Sequence, residues 1–79
     1  MKVRVLLFGT LRKYVSGYDS NQGFEIDIPD GSKVRDLLAH LGIPKSEIPV
    51  ITIDYRMAGL EDELVDKSQV SLIQMAHGG

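Results

Sequence analysis

Only one stretch of this 79-residue chain has the spacing of a helix long enough to cover a sheet: Val34, Leu37, Leu38 and Leu41 follow i, i+3, i+4, i+7. Ser32 is placed to cap its start and Gly42 to end it. Asp36 in the first turns suits the helix dipole, whereas Arg35 stands where a capping box wants Glu or Gln, so the box is incomplete. One good helix covers one face of one sheet. The other apolar residues must then be ordered in strands, and the expected architecture is α+β, a single mixed sheet of four to five strands rolled around that helix.

The strand signals bear this out in detail. Val3, Val5 and Leu7 alternate with Arg4, but Leu6 and Phe8 make the second side apolar too, the mark of a central strand. Gly9 and Thr10 break the pattern; Leu11, Tyr14 and Val15 sit at helical spacing behind Thr10 as N-cap, with Gly17 ending one or two turns. Phe24, Ile26 and Ile28 alternate with Glu25 and Asp27, a half-buried strand with an acidic outer side. After Pro44 and Pro49, Val50 to Tyr55 is β-rich, with Asp54 near a turn and Arg56 to Ala58 as a short return strand. Val70 to Met75 reads as the last strand. The chain is expected to be one domain, residues 1–79, ending in a flexible tail over 74–79.

Composition narrows the function. A formal charge of −2, with nine basic residues scattered along the chain, offers no stripe to follow a phosphate backbone, so nucleic-acid binding is disfavoured. The apolar run Val5 to Phe8 is far below the roughly 20 residues of a bilayer span, and the start lacks the apolar stretch of a signal peptide. The absence of cysteine removes thiol chemistry and points to a reducing cytoplasm. So small a core can hardly spare the volume of an enclosed active site, which favours a carrier or adaptor over an enzyme.

A search for chemistry agrees. No glycine pattern forms a phosphate loop, and His40 and His77 have no metal-ligand spacing. Asp54, Glu61, Asp62, Glu63 and Asp66 fit no calcium loop and read as solvated charge. What remains is the end, His77-Gly78-Gly79. An α-carboxyl has a pKa of about 3.3 to 3.7, so the carboxylate of Gly79 is ionised and can attack a phosphoryl group without a general base. Two residues without Cβ make a thin tail suited to a narrow channel, and Gln74 to Gly79 fully extended reaches about 20 Å. Spacing alone leaves this reading level with a plain frayed terminus.

Three stretches resemble the sulfur-carrier branch of the ubiquitin-like β-grasp proteins, which includes the small subunit of molybdopterin synthase (MoaD) and the thiamine-pathway carrier ThiS. They are Val3 to Arg12 with its short helix, similar to the molybdopterin type; Gly31 to Gly42, similar to both; and Val70 to Gly79, the most specific, similar to the family's last strand and di-glycine. The resemblance implies a ubiquitin-like β-grasp roll and a cycle. A ubiquitin-activating-type partner adenylates the Gly79 carboxylate with ATP, a persulfide donor displaces AMP, and the thiocarboxylate gives its sulfur to a precursor, Gly78 keeping the approach open. The carrier itself holds no cofactor and supplies no catalytic side chain; a large synthase subunit or another acceptor enzyme takes the sulfur. Gln74 and Met75 replace the proline pair usual in molybdopterin-type carriers and are closer to the thiamine type. Asp54-Tyr55 stands for the family's Asn-Gly, Asp66-Lys67-Ser68 for its Asp-Gly-Asp, and His77 for a small residue.

Strand parity sets Val3, Val5, Leu7, Val70 and Leu72 toward the helix and leaves Leu6, Phe8, Ile73 and Met75 outward, an apolar patch leading to the tail. With His77 these are the expected partner-binding residues. The leading expectation is sulfur donation in molybdopterin (Mo/W cofactor) biosynthesis. Thiamine thiazole donation, tRNA thiolation or protein conjugation, and an interaction module with an inert tail are the alternatives.

Overall fold

The computed structural model describes residues 1–18, 22–47 and 49–74. Five strands form one sheet: β1 (Lys2–Gly9), β2 (Phe24–Asp27), β3 (Val50–Ile53), β4 (Arg56–Ala58) and β5 (Gln69–Gln74), with one helix, α1 (Val34–Leu41). The spatial order is β2-β1-β5-β3-β4. β1 and β5 run parallel, and every other pairing is antiparallel. The sheet is therefore mixed, with the first and last strands side by side at its centre.

The parity expected from the sequence holds. Val3, Val5, Leu7, Val70 and Leu72 are at most 1% exposed and share one core cluster with Val34, Leu37 and Leu38 of α1. Phe24 and Ile26 on β2 and Ile51 and Ile53 on β3 pair with this inward set and pack against it. At about 25 cal/mol per Å² of apolar surface, this alternation decides which side of the sheet takes the helix.

Two caps differ from expectation. Ser32 does not cap α1: its hydroxyl donates to the Pro29 carbonyl at 2.6 Å and is used up in the preceding turn. The N-cap is Lys33, whose backbone N–H donates to Asp36 Oδ2 at 2.8 Å, so the box that Arg35 fails to complete is half made one residue later. The first helical amides, of Val34 and Arg35, donate to the Asp62 and Leu60 carbonyls at 3.0 Å each. Thr10 does not cap either; it begins a 3₁₀ segment, Thr10–Tyr14, behind Gly9. Gly42 does end α1, in the left-handed conformation. The β3–β4 hairpin turns through Asp54 and Tyr55, both at positive φ (49° and 71°), the twist a two-residue hairpin demands and ordinarily obtains from Asn-Gly.

Four acidic residues of the loops have partners within the fold. Glu61 pairs with Lys33 and Arg35, while Asp54, Asp62 and Asp66 accept backbone N–H groups of Gln69, Gly59 and Lys2. His40 lies exposed near the end of α1.

Candidate functional site

The side of the sheet away from α1 is built from the alternate residues of β1, β5, β3 and β4. Register places Leu6, Ser71, Thr52 and Met57 in one row across four strands, and Phe8, Ile73 and Val50 in the next row toward the end of β5. Phe8 and Val50 are each 43% exposed and Met57 76%; Leu6 and Ile73 are half-buried. Ser71 lies low between them, 9% exposed. The result is an apolar face on the central strands that no element of the described residues covers, bounded at its other end by Arg4, which reaches Glu25 at 3.7 Å and the Gln22 carbonyl at 2.7 Å.

Sequence parity found Leu6, Phe8 and Ile73 and missed Val50 and Met57. Val50 was legible only through its partner: opposite Ile73, it must share that residue's side, but a short apolar run such as Val50–Ile53 does not announce which strand it joins. The other expected site residues, Met75, His77, Gly78 and Gly79, lie outside the described residues.

The structure does describe the residue at which the expected tail begins. Gln74, the last residue of β5, lies opposite Gly9, the last residue of β1. Gly9 has φ +71°, and a Cβ there would overlap the Gln74 carbonyl oxygen, so the close approach of the two strand ends depends on glycine. Immediately after it the Thr10–Tyr14 segment is anchored on both sides. Leu11 is fully buried, and the Tyr14 hydroxyl donates to Glu47 Oε1 at 2.9 Å in the second 3₁₀ segment, Lys45–Glu47. Loss of solvation, then the bond to the Glu47 carboxylate and its charge, raise the Tyr14 phenol above its ordinary 10.0. Arg12, between these anchors, is exposed, with Nε 3.5 Å from the Gly9 carbonyl.

Among the described residues no group of three His, Asp, Glu or Cys side chains comes together to hold a metal ion, and no helix is long and apolar enough to cross a membrane. A concavity of about 560 Å³ lies at the β4 edge of the sheet, against the β3–β4 hairpin, and is lined by Asp54, Asp62 and Glu63 among others. It is broadly open, and two of those carboxylates are already bonded to backbone amides.

Comparison with known proteins gives the same frame. The ThiS family model matches residues 5–79. No curated protein matches the chain by sequence. Among solved structures, SAMP1 from Haloferax volcanii superposes with a TM-score of 0.72 at 14% identity, covering all of both chains. A chain from Pyrococcus furiosus described as molybdopterin converting factor, subunit 1, gives 0.72 at 21% identity over 96% of this chain and 99% of that one. A chain of the complex of subunits 1 and 2 of molybdopterin-converting factor from Helicobacter pylori gives 0.61 at 21% identity, covering all of both. At these identities the likeness carries the fold, which is the ubiquitin-like β-grasp.

Proposed function

The chain belongs to the ThiS family of ubiquitin-like sulfur carriers, and from that premise we propose that it carries sulfur for molybdopterin synthesis, as the small subunit of a synthase. The observation that carries this reading is the apolar face of Leu6, Phe8, Ile73 and Val50, which runs along the central strands to the strand end where the tail begins. A face so placed seats a larger protein and directs the tail into it. The short helical segment after β1 and the fold shared with subunit 1 of a two-subunit molybdopterin-converting factor support it.

In this reading the chemistry belongs to the Gly79 carboxylate. A ubiquitin-activating-type enzyme binds ATP, the carboxylate oxygen attacks the α-phosphorus, and pyrophosphate leaves. The terminal sulfur of a persulfide then attacks the acyl carbon and expels AMP; a second thiol takes the donor's sulfur into a disulfide and leaves the thiocarboxylate. The large subunit consumes that sulfur and the carboxylate returns. Gly78 leaves room for the approach, Met75 and His77 contact the channel mouth, and the chain holds no cofactor of its own. The cycle runs in the cytoplasm.

A second reading, thiazole sulfur donation, is favoured by one sequence observation: Gln74-Met75 stands where molybdopterin-type carriers have two prolines. The test is intact mass after incubation with the cognate adenylating enzyme, ATP and a persulfide donor. A gain of roughly 16 Da marks exchange of one oxygen for sulfur. The loaded protein is then offered to the cognate large synthase subunit and to thiazole synthase, and the one that discharges it names the pathway. Conjugation to other proteins would favour a modifier, and lasting absence of the adduct an inert interaction module.

A further inference from the structure

We propose that Arg12 is a docking residue that meets a carboxylate of the activating enzyme, beside the mouth of the channel that receives the tail; this rests on the sulfur-carrier reading above. Arg12 follows the tail root directly, three residues past Gly9, which pairs with Gln74, and its Nε lies 3.5 Å from the Gly9 carbonyl. The segment that bears it is fixed by Leu11 in the core and by the Tyr14 to Glu47 hydrogen bond, so the guanidinium is presented from a rigid platform. Arg4, Lys13, Lys33 and Arg35 all have carboxylate partners within the fold; Arg12 has none among the described residues. Among the described residues it is, like Lys2, Arg56 and Lys67, a cation without an ion pair, on a chain of net charge −2.

Its place gives that charge a use. Phe8 closes the apolar face just before Gly9, and an arginine at the edge of an apolar patch is a composition enriched in protein interfaces. The tail would carry a carboxylate at its tip and a guanidinium at its root, a polarity that a partner can match with a cationic ATP site inside and an acidic rim outside. The planar fork of the guanidinium fits a carboxylate with two parallel hydrogen bonds, which an ammonium cannot copy. Contacts of this kind act mainly on encounter and orientation.

The measurement is pyrophosphate release by the cognate adenylating enzyme with ATP and the full chain, between about 25 and 300 mM salt, where screening lengths change several-fold. Arg12→Gln should raise KM for the carrier about tenfold at low salt and leave kcat within about twofold, with a flatter salt dependence. Arg12→Glu should do worse, Arg12→Lys should fall between, and all three should melt as the wild type does. Arg56→Gln is the control: Arg56 also lacks an ion pair among the described residues, but it stands opposite Ile53, which pairs with Val70 near the other end of β5. Wild-type KM and salt slope in both Arg12→Gln and Arg12→Glu would overturn the proposal while leaving the carrier function standing. A wild-type chain that never releases pyrophosphate with the enzyme overturns both.

Discussion

The Leu7 amide, in the central strand β1, donates its hydrogen bond to the phenolic oxygen of Tyr18 at 2.6 Å. β2 pairs with β1 only as far as Val5, and Tyr18 takes over two residues later, its ring edge-on to Phe24 with centroids 6.1 Å apart. Tyr18→Phe keeps the ring and removes the acceptor, leaving a core-strand amide without a partner. We expect a loss of about 1–3 kcal/mol in urea unfolding. A change below about 0.5 kcal/mol would mean that water replaces the hydroxyl.

Neighbouring positions on β1 should separate stability from docking. Leu7→Ala empties a fully buried site and should cost about 2–5 kcal/mol. Phe8→Ser, one residue on and facing outward, should leave the melting temperature within a few degrees yet raise KM with the activating enzyme several-fold. Thermal melts and pyrophosphate release on the same two proteins check both halves. Equal effects of the two substitutions on stability would contradict the assignment of faces.

The Tyr14 to Glu47 bond predicts an alkaline signature. The folded-state pKa of Tyr14 lies above the unfolded 10.0, so folding favours the protonated phenol. Its contribution is complete below pH 10 and is lost as pH rises through the folded pKa. Tyr14→Phe should therefore lower stability near neutral pH and remove part of the decline above pH 10. Urea midpoints at pH 8 and at pH 11 give the comparison, and parallel declines in wild type and variant would refute the bond.

At the β3–β4 turn, Tyr55 is 85% exposed and holds φ at 71°. A non-glycine residue in that region costs about 1–2 kcal/mol. Among the described residues the side-chain bond it would forfeit, from Gln69 Nε2 to its hydroxyl at 3.3 Å, is exposed and weak. Tyr55→Gly is expected to gain about 0.5–1 kcal/mol, read from the urea midpoint.

Deleting Gly79 should abolish thiocarboxylation and leave the melt unchanged, since chain ends contribute little to stability. If the deletion unfolds the domain, the tail has a structural role and the carrier reading fails.

Periodicity carried most of this fold into view. Period two placed Val3, Val5 and Leu7 against the helix because burial on one side of a sheet leaves no freedom of register, and the 3.6 spacing of Val34 to Leu41 gave the helix. Capping was less legible. Ser32 and Thr10 are good caps by type, but the free amides at the start of α1 are satisfied by carbonyls of Leu60 and Asp62, far away in sequence. The same blindness to distant partners hid Val50 and Met57, whose sides follow from strand pairing rather than from their own neighbours. The closeness of Gly9 to Gln74 likewise arises only when the first and last strands lie side by side.

That β5 lies between β1 and β3 has a mechanical meaning. Anything that grips the last residues and tugs along the strand loads two ladders in shear at once, so the tether must fail as a unit rather than unzip rung by rung. Pulled by that handle, the body of the domain would hold together as one piece.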